Sequence, residues 1–223
     1  MVSKATWQAI MEATPVVMGK QTSLGFELDP KHLGFVLARY KFVAKLAEPL
    51  RLKKAVEIGC GDGFPTAVVA QVVDSIHAVD LEIQTLENRA HNSTLDAKVT
   101  FSMHDILSGP VPGGPFDLAY SLDVVEHIPA DMEHKYYKNI VGGLAKRSMA
   151  VIGTPNKTAE AWQSENSRVG HINLKTFDAL RNDMSKYFEY VLMFGINDEV
   201  VHTGYAAMCH YLIAVGLHPL NLD

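Results

Sequence analysis

Two groups of residues in this chain have the types and spacing to do chemistry. The first is a glycine turn closing a short apolar run, Ala55-Val56-Glu57-Ile58-Gly59-Cys60-Gly61-Asp62-Gly63-Phe64. The second is a set of acids and imidazoles, Asp123-Val124-Val125-Glu126-His127-Ile128-Pro129 with the distant His171. Glycine tolerates positive φ and lets the backbone come close to a ligand. The spacing Gly-x-Gly-x-Gly departs from a dinucleotide fingerprint, whose third glycine would fall at position 64, where Phe64 stands. The turn therefore suits a ligand without a pyrophosphate, held through amino-acid and nucleoside parts.

Three further runs end in acids: Ser75 to Asp80, Val99 to Asp105 and Phe116 to Asp123. Ligands of open α/β sheets bind outside the carboxyl ends of parallel strands. One such acid would read as a solvated strand end or a helix cap. Three in register with a glycine turn point to one crevice. S-adenosylmethionine, with an ammonium group and ribose hydroxyls that suit acidic partners, is a ligand of the expected kind.

Methyl transfer from a sulfonium is an in-line displacement at an already activated carbon. The protein must align the acceptor and remove its proton. A histidine can take that proton near neutral pH. His127, beside Glu126 at a strand end, and His171 are the leading candidates, with His202 third and read chiefly as a structural histidine. Asn156 is a further polar group on the expected acceptor side.

These motifs resemble those of the class I S-adenosylmethionine-dependent methyltransferases. The resemblance runs from about residue 29 to the C-terminus and is strongest from Val56 to His127. It implies that Glu57, Gly59, Gly61 and Gly63 line the methionine end of the cofactor, with Leu122 in the same set. It implies that Asp80 takes the ribose hydroxyls and Asp105 the adenine amino group, with Leu81, His104 and Ile106 flanking the adenine. Arg39, on the helix before the first strand, would meet the methionine carboxylate; a solvated helix face is the equal alternative. Phe64 and Trp162 are pocket walls or ordinary packing.

The set Asp123, Glu126, His127 and His171 also resembles the Glu-x-x-Glu-His constellation of plant small-RNA 2′-O-methyltransferases and ubiquinone-pathway O-methyltransferases. By that resemblance it would hold Mg²⁺ or Mn²⁺. Asp123 stands where those enzymes have glutamate, so its reach is shorter, and a histidine acting alone as base is favoured.

The elements that must position these groups follow from patterning. Residues 3 to 13 read as a short helix with Ser3 as cap, and Pro15 to Leu28 as a loop. Asp29-Pro30 opens a helix whose apolar positions Leu33, Val36, Leu37, Tyr40, Val43, Ala44 and Ala47 keep a helical period until Pro49. Strands are predicted at 55–59, 75–80, 99–104, 116–122 and 149–154, and helices at 65–72, 82–92 and 131–144. Gly109 to Pro115 is a breaker segment. A helix near 175–186, capped by Thr176, precedes strands at 188–195 and 206–215. The expected fold is α/β: a doubly wound, mostly parallel seven-stranded sheet with a final antiparallel strand and helices on both faces. Residues 1–223 are expected to be one domain, with 1–50 a helical cap segment and 51–223 a Rossmann-like core.

Composition narrows the partners. Among 223 residues, Lys and Arg number 20 against 25 Asp and Glu, a net charge of −5 without a basic run. That disfavours duplex nucleic acid and anionic membranes, whose binding depends on clustered cations. Two cysteines, Cys60 and Cys209, and no long apolar N-terminal run fit a cytoplasmic protein without a structural disulfide. The expected function is methyl transfer to a small-molecule acceptor, chiefly a hydroxyl of sugar or secondary-metabolite type. The alternatives are a non-catalytic S-adenosylmethionine-binding protein or partner subunit, and a nucleoside or RNA methyltransferase.

Overall fold

The computed structural model describes residues 3–82, 86–162 and 169–221. Eight strands form one sheet: β1 (Lys54–Ile58), β2 (Ser75–Asp80), β3 (Val99–Met103), β4 (Phe116–Leu122), β5 (Leu144–Pro155), β6 (Phe188–Asn197), β7 (Val200–His202) and β8 (Tyr211–Pro219). Their order is β3-β2-β1-β4-β5-β8-β6-β7. Strands β1 to β5 pair in parallel, while β8 runs antiparallel to both β5 and β6. The order reverses between β1 and β4, the place where an open α/β sheet parts its loops and leaves a crevice.

The central strands β1, β4, β5 and β8 are apolar almost throughout and are buried on both faces. On one face lie α3 (Pro30–Leu50), through Tyr40, Val43 and Ala47, and the short α4 (Thr66–Ala70). On the other lie α6 (Glu133–Gly142), through Tyr136, Tyr137 and Ile140, and α7 (Phe177–Met184), through Leu180 and Met184. Helix α5 (Ser93–Lys98) lies against α4 and β3. Asp29 caps α3 and Pro30 occupies its first turn, where a missing N–H costs nothing. Thr176 caps α7 through the Ala179 N–H.

The structure corrects four expectations. Pro15 to Leu28 is not all loop: α2 spans Lys20–Leu28. It has no helical apolar period because it buries none of its residues, and it is held by polar contacts described below. The sheet has eight strands, because the Asn197 to His202 segment folds back as a hairpin and adds β7 at the edge. The last strand begins at Tyr211 and not at 206, since Ala206–Met208 forms a 3₁₀ turn. The short helix α5, capped by the Asn92 side chain on the Thr94 and Leu95 N–H groups, was not expected. The helix predicted at 82–92 includes 83–85, which lie outside the described residues, as does the Trp162 side chain; residues 86 and 87 are helical. Among the described residues no helix is long and apolar enough to cross a membrane.

Candidate functional site

The glycine turn follows β1 directly. Gly59, Gly61 and Gly63 have φ of 78°, 55° and 75°, the left-handed region that a side chain would strain. Gly59 and Cys60 donate their N–H groups to the Val79 carbonyl at 2.9 and 3.1 Å, stitching the turn to the end of β2. Asp80 accepts from the Gly61 N–H at 2.9 Å and from the Glu82 N–H at 3.0 Å. A carboxylate offers about four lone-pair sites, so two remain for a ligand.

Glu57 was expected to line the methionine end; instead it lies beneath the turn. It is buried, and its carboxylate accepts from Tyr40 Oη at 2.6 Å, Thr66 Oγ1 at 2.6 Å and Tyr120 Oη at 2.9 Å. Burial raises its pKa, while the three hydroxyls oppose the shift. Its place is to anchor β1, α3 and α4 under the loop.

A cavity of about 490 Å³ opens above this turn. Gly59, Cys60, Gly61 and Asp62 form one wall, Arg39, Tyr40, Leu33 and Val36 of α3 a second, and Leu122, Asp123, Pro155 and His171 a third. Gln21, Thr22 and Phe26 of α2 close it from above. This roof is fixed by Asp62, a residue sequence reasoning did not single out. Asp62 accepts the Thr22 N–H at 2.7 Å and the Thr22 hydroxyl at 2.8 Å. Its position inside the glycine motif was the signal available. Leu81, His104 and Asp105 stand past the ends of β2 and β3 and are not among the cavity's lining residues. Leu81 is exposed, His104 Nε2 bonds the Gly109 carbonyl at 3.0 Å, and Asp105 accepts the Leu107 N–H at 2.8 Å. Ile106 packs into the core beside Val79.

At the far end of the cavity, Val125–His127 forms a 3₁₀ turn after β4, carrying Glu126 and His127. The loop after β5 brings His171 alongside, with ring centroids 5.2 Å apart. That loop is pinned by Asn173, whose N–H reaches the Glu126 carbonyl at 3.0 Å and whose Nδ2 reaches the Ile128 carbonyl at 2.9 Å. Buried Lys175, paired with Glu133 and with Asp183 at 3.1 Å, fixes its base. The Gly170 carbonyl lies 2.8 Å from His127 Nδ1. A carbonyl only accepts, so uncharged His127 carries its proton on Nδ1 and leaves the Nε2 lone pair free. Burial, and then His127, lower the pKa of His171, whose Nδ1 is buried without a partner. Glu126 is wholly buried; Oε2 accepts from Thr154 Oγ1 at 3.0 Å and Oε1 has no partner. Burial first, and Asp123 second, push its pKa up to about 8.

The four-ligand metal set that the resemblance offered does not assemble. Both oxygens of Asp123 turn to Arg39 Nη1, at 2.9 and 2.7 Å. Glu126, His127 and His171 keep ligand atoms within 4.8 Å of one another, but Glu126 favours its proton at neutral pH. Two other expected acceptor-side groups are structural. Asn156 donates Nδ2 to the Ala206 and Cys209 carbonyls at 2.9 Å each. His202 spends Nε2 on Asn197 Oδ1 at 2.8 Å and Nδ1 on the Gly204 N–H at 3.1 Å.

Known proteins resemble parts of this chain. A family model described as a methyltransferase domain matches residues 55–147. The chain is 29% identical over 86 residues to 27-O-demethylrifamycin SV methyltransferase of Amycolatopsis mediterranei, covering 36% of this chain and 32% of that protein. It is 28% identical over 120 residues to the chloroplastic tocopherol O-methyltransferase of Arabidopsis thaliana, covering 52% and 34%. The chain thus spans about a third of the length of these relatives. Other relatives are named for N-methylation and for small-RNA 2′-O-methylation. The crystal structure of the methyltransferase domain of bacterial CtHen1 superposes with a TM-score of 0.65 over 81% of this chain and 97% of that one, at 16% identity, which is a likeness of fold. Residues 55–147 thus match a methyltransferase domain, and with its glycine turn and strand order the chain resembles the class I, Rossmann-like, S-adenosylmethionine-dependent methyltransferases.

Proposed function

We propose that the chain binds S-adenosylmethionine over the glycine turn and transfers its methyl group to a hydroxyl of a small-molecule acceptor. The observation that carries this reading is the continuity of one cavity from Gly59 and Gly61 to His171, beside the free Nε2 face of His127. In this reading the cofactor's methionine lies against Gly59 and Gly61 with its carboxylate on Arg39, and Leu122 packs beside it. Asp80 takes the ribose hydroxyls through its two unused lone pairs, and Asp105 takes the adenine amino group between Leu81 and His104. Gly63 keeps the turn tight, since a Cβ there would stand 2.5 Å from the Phe101 ring.

The chemistry follows from these placements. The acceptor oxygen attacks the methyl carbon from the side opposite sulfur, the carbon–sulfur bond breaks, and its electrons stay on sulfur as S-adenosylhomocysteine. The acceptor proton passes to His127 Nε2 or to His171, and a lowered pKa keeps His171 uncharged and ready at neutral pH. No step is routed through a metal, because Asp123 is engaged by Arg39. An RNA acceptor is the second reading, favoured by the small-RNA 2′-O-methyltransferase among the relatives and opposed by the net charge of −5.

Calorimetry with S-adenosylhomocysteine, followed by transfer of labelled methyl to panels of hydroxyl compounds, amines and RNA, tests the proposal. Binding with transfer to a small hydroxyl compound is the expected result. Failure to bind S-adenosylhomocysteine refutes the cofactor reading, and transfer to RNA alone refutes the acceptor class.

A further inference from the structure

Arg39 is bound in a way that leaves much of its guanidinium unused. Only Nη1 meets Asp123, at 2.9 Å from Oδ1 and 2.7 Å from Oδ2. Nε is buried and has no partner. A carboxylate set side-on to the fork would satisfy two nitrogens with parallel bonds, the stronger arrangement. The guanidinium is also held over the Tyr211 ring, with its carbon 3.8 Å from the ring centroid. Asp123 reaches it from a left-handed backbone, φ 59°, a conformation uncommon for a residue with a Cβ. Both residues line the cavity that holds Gly59 and Gly61.

A buried, partly unsatisfied fork beside a glycine turn is a carboxylate site, and a carboxylate of the chain itself occupies one nitrogen of it. We propose that Asp123 stands in on Arg39 for the cofactor's methionine carboxylate, and that cofactor binding displaces it toward Glu126, His127 and His171. The inference rests on the cofactor reading above. After the exchange the ligand fills the fork, and the charge of Asp123 arrives beside the two imidazoles. There it stabilises the imidazolium that forms when the acceptor gives up its proton. The acceptor side is then complete only when the cofactor is in place, so cofactor binds first.

The test uses two ligands, S-adenosylhomocysteine and 5′-methylthioadenosine, which keeps the nucleoside and thioether but lacks the carboxylate. Asp123→Asn tolerates the left-handed backbone and removes the competing charge. It should tighten S-adenosylhomocysteine roughly tenfold and change 5′-methylthioadenosine less than about twofold. Arg39→Gln should weaken S-adenosylhomocysteine roughly tenfold or more, again sparing 5′-methylthioadenosine, and adding Asp123→Asn to it should give no gain. A crystal structure of the unaltered protein with S-adenosylhomocysteine needs no variant to fold. It should show the ligand carboxylate on Arg39 and Asp123 released. Weaker S-adenosylhomocysteine binding in Asp123→Asn, an equal shift for both ligands, or an intact Arg39–Asp123 pair in the complex overturns the exchange alone. Failure of the unaltered protein to bind either ligand overturns the cofactor reading and the exchange with it.

Discussion

Replacing Glu126 by glutamine should stabilise the protein at alkaline pH and do little in acid. Glu126 is wholly buried, and burial together with Asp123 raises its pKa from 4.5 to about 8. Between those values the folded protein holds a proton that the unfolded chain has released. The unfolded state binds fewer protons, so stability falls as pH rises through that window, and the loss is complete above about 8. A span of about 3.5 units at about 1.4 kcal/mol each sets a ceiling on the order of 5 kcal/mol. The glutamine side chain cannot ionise, and its amide oxygen can keep the hydrogen bond from Thr154. The two proteins should therefore match near pH 4 and diverge steadily to pH 8.5. Urea unfolding measures the gap: with a slope of roughly 2 kcal/mol/M, the ceiling corresponds to a midpoint shift of roughly 2 M. Groups common to both proteins cancel in the difference, which isolates position 126. A gap that stays constant with pH, or a less stable glutamine variant at pH 8.5, would overturn this account of Glu126.

Asp80→Ala should weaken S-adenosylhomocysteine at least tenfold, since charge-assisted hydrogen bonds contribute roughly 1.5–3 kcal/mol each; unchanged affinity in calorimetry would place the ribose elsewhere. His127→Ala and His171→Ala should each slow turnover on the order of 10²-fold while sparing S-adenosylhomocysteine affinity, and full activity in both would move the base to another residue. If His171 is the base, the rate should rise with pH through an ionisation below 6.5, the side to which burial and His127 shift it; a limb above 6.5 argues against it. EDTA should leave turnover unchanged, and loss restored by Mg²⁺ or Mn²⁺ would show that Asp123 abandons Arg39 for a metal. Thr22→Val removes one of two hydrogen bonds from α2 to Asp62, worth about 1 kcal/mol, so trypsin should cut at Lys20 roughly fivefold faster, and an unchanged rate would show that the roof is held by other contacts.

Much of the frame was legible because it rests on local rules. The alternation of buried runs with capped helices marked β2 and β4 to the residue, and Asp29-Pro30 marked the start of α3. Helix α2 was illegible for the same reason. Its contacts are polar and long-range, from Thr22 to Asp62 forty residues away, and no apolar period reports them. The family resemblance also placed Glu57 facing a ligand. Its three hydroxyl partners come from α3, α4 and β4, and only the assembled sheet shows that they take up most of its accepting capacity beneath the turn.

The acceptor end shows where sequence reading stops and why. The resemblance grouped Glu126, His127 and His171, and they do lie near one another, because a strand end and the loop after the next strand meet at one sheet edge. The same resemblance put Asp123 with them, but its carboxylate is turned to Arg39. A left-handed backbone at Asp123 aims its carboxylate at Arg39, 84 residues earlier, and not at the imidazoles four and forty-eight residues on. Neither φ nor that pairing is encoded in the short motif. The motif therefore specifies which groups are available, while the backbone at one residue decides whether they form a four-ligand metal site or a base beside a carboxylate exchange.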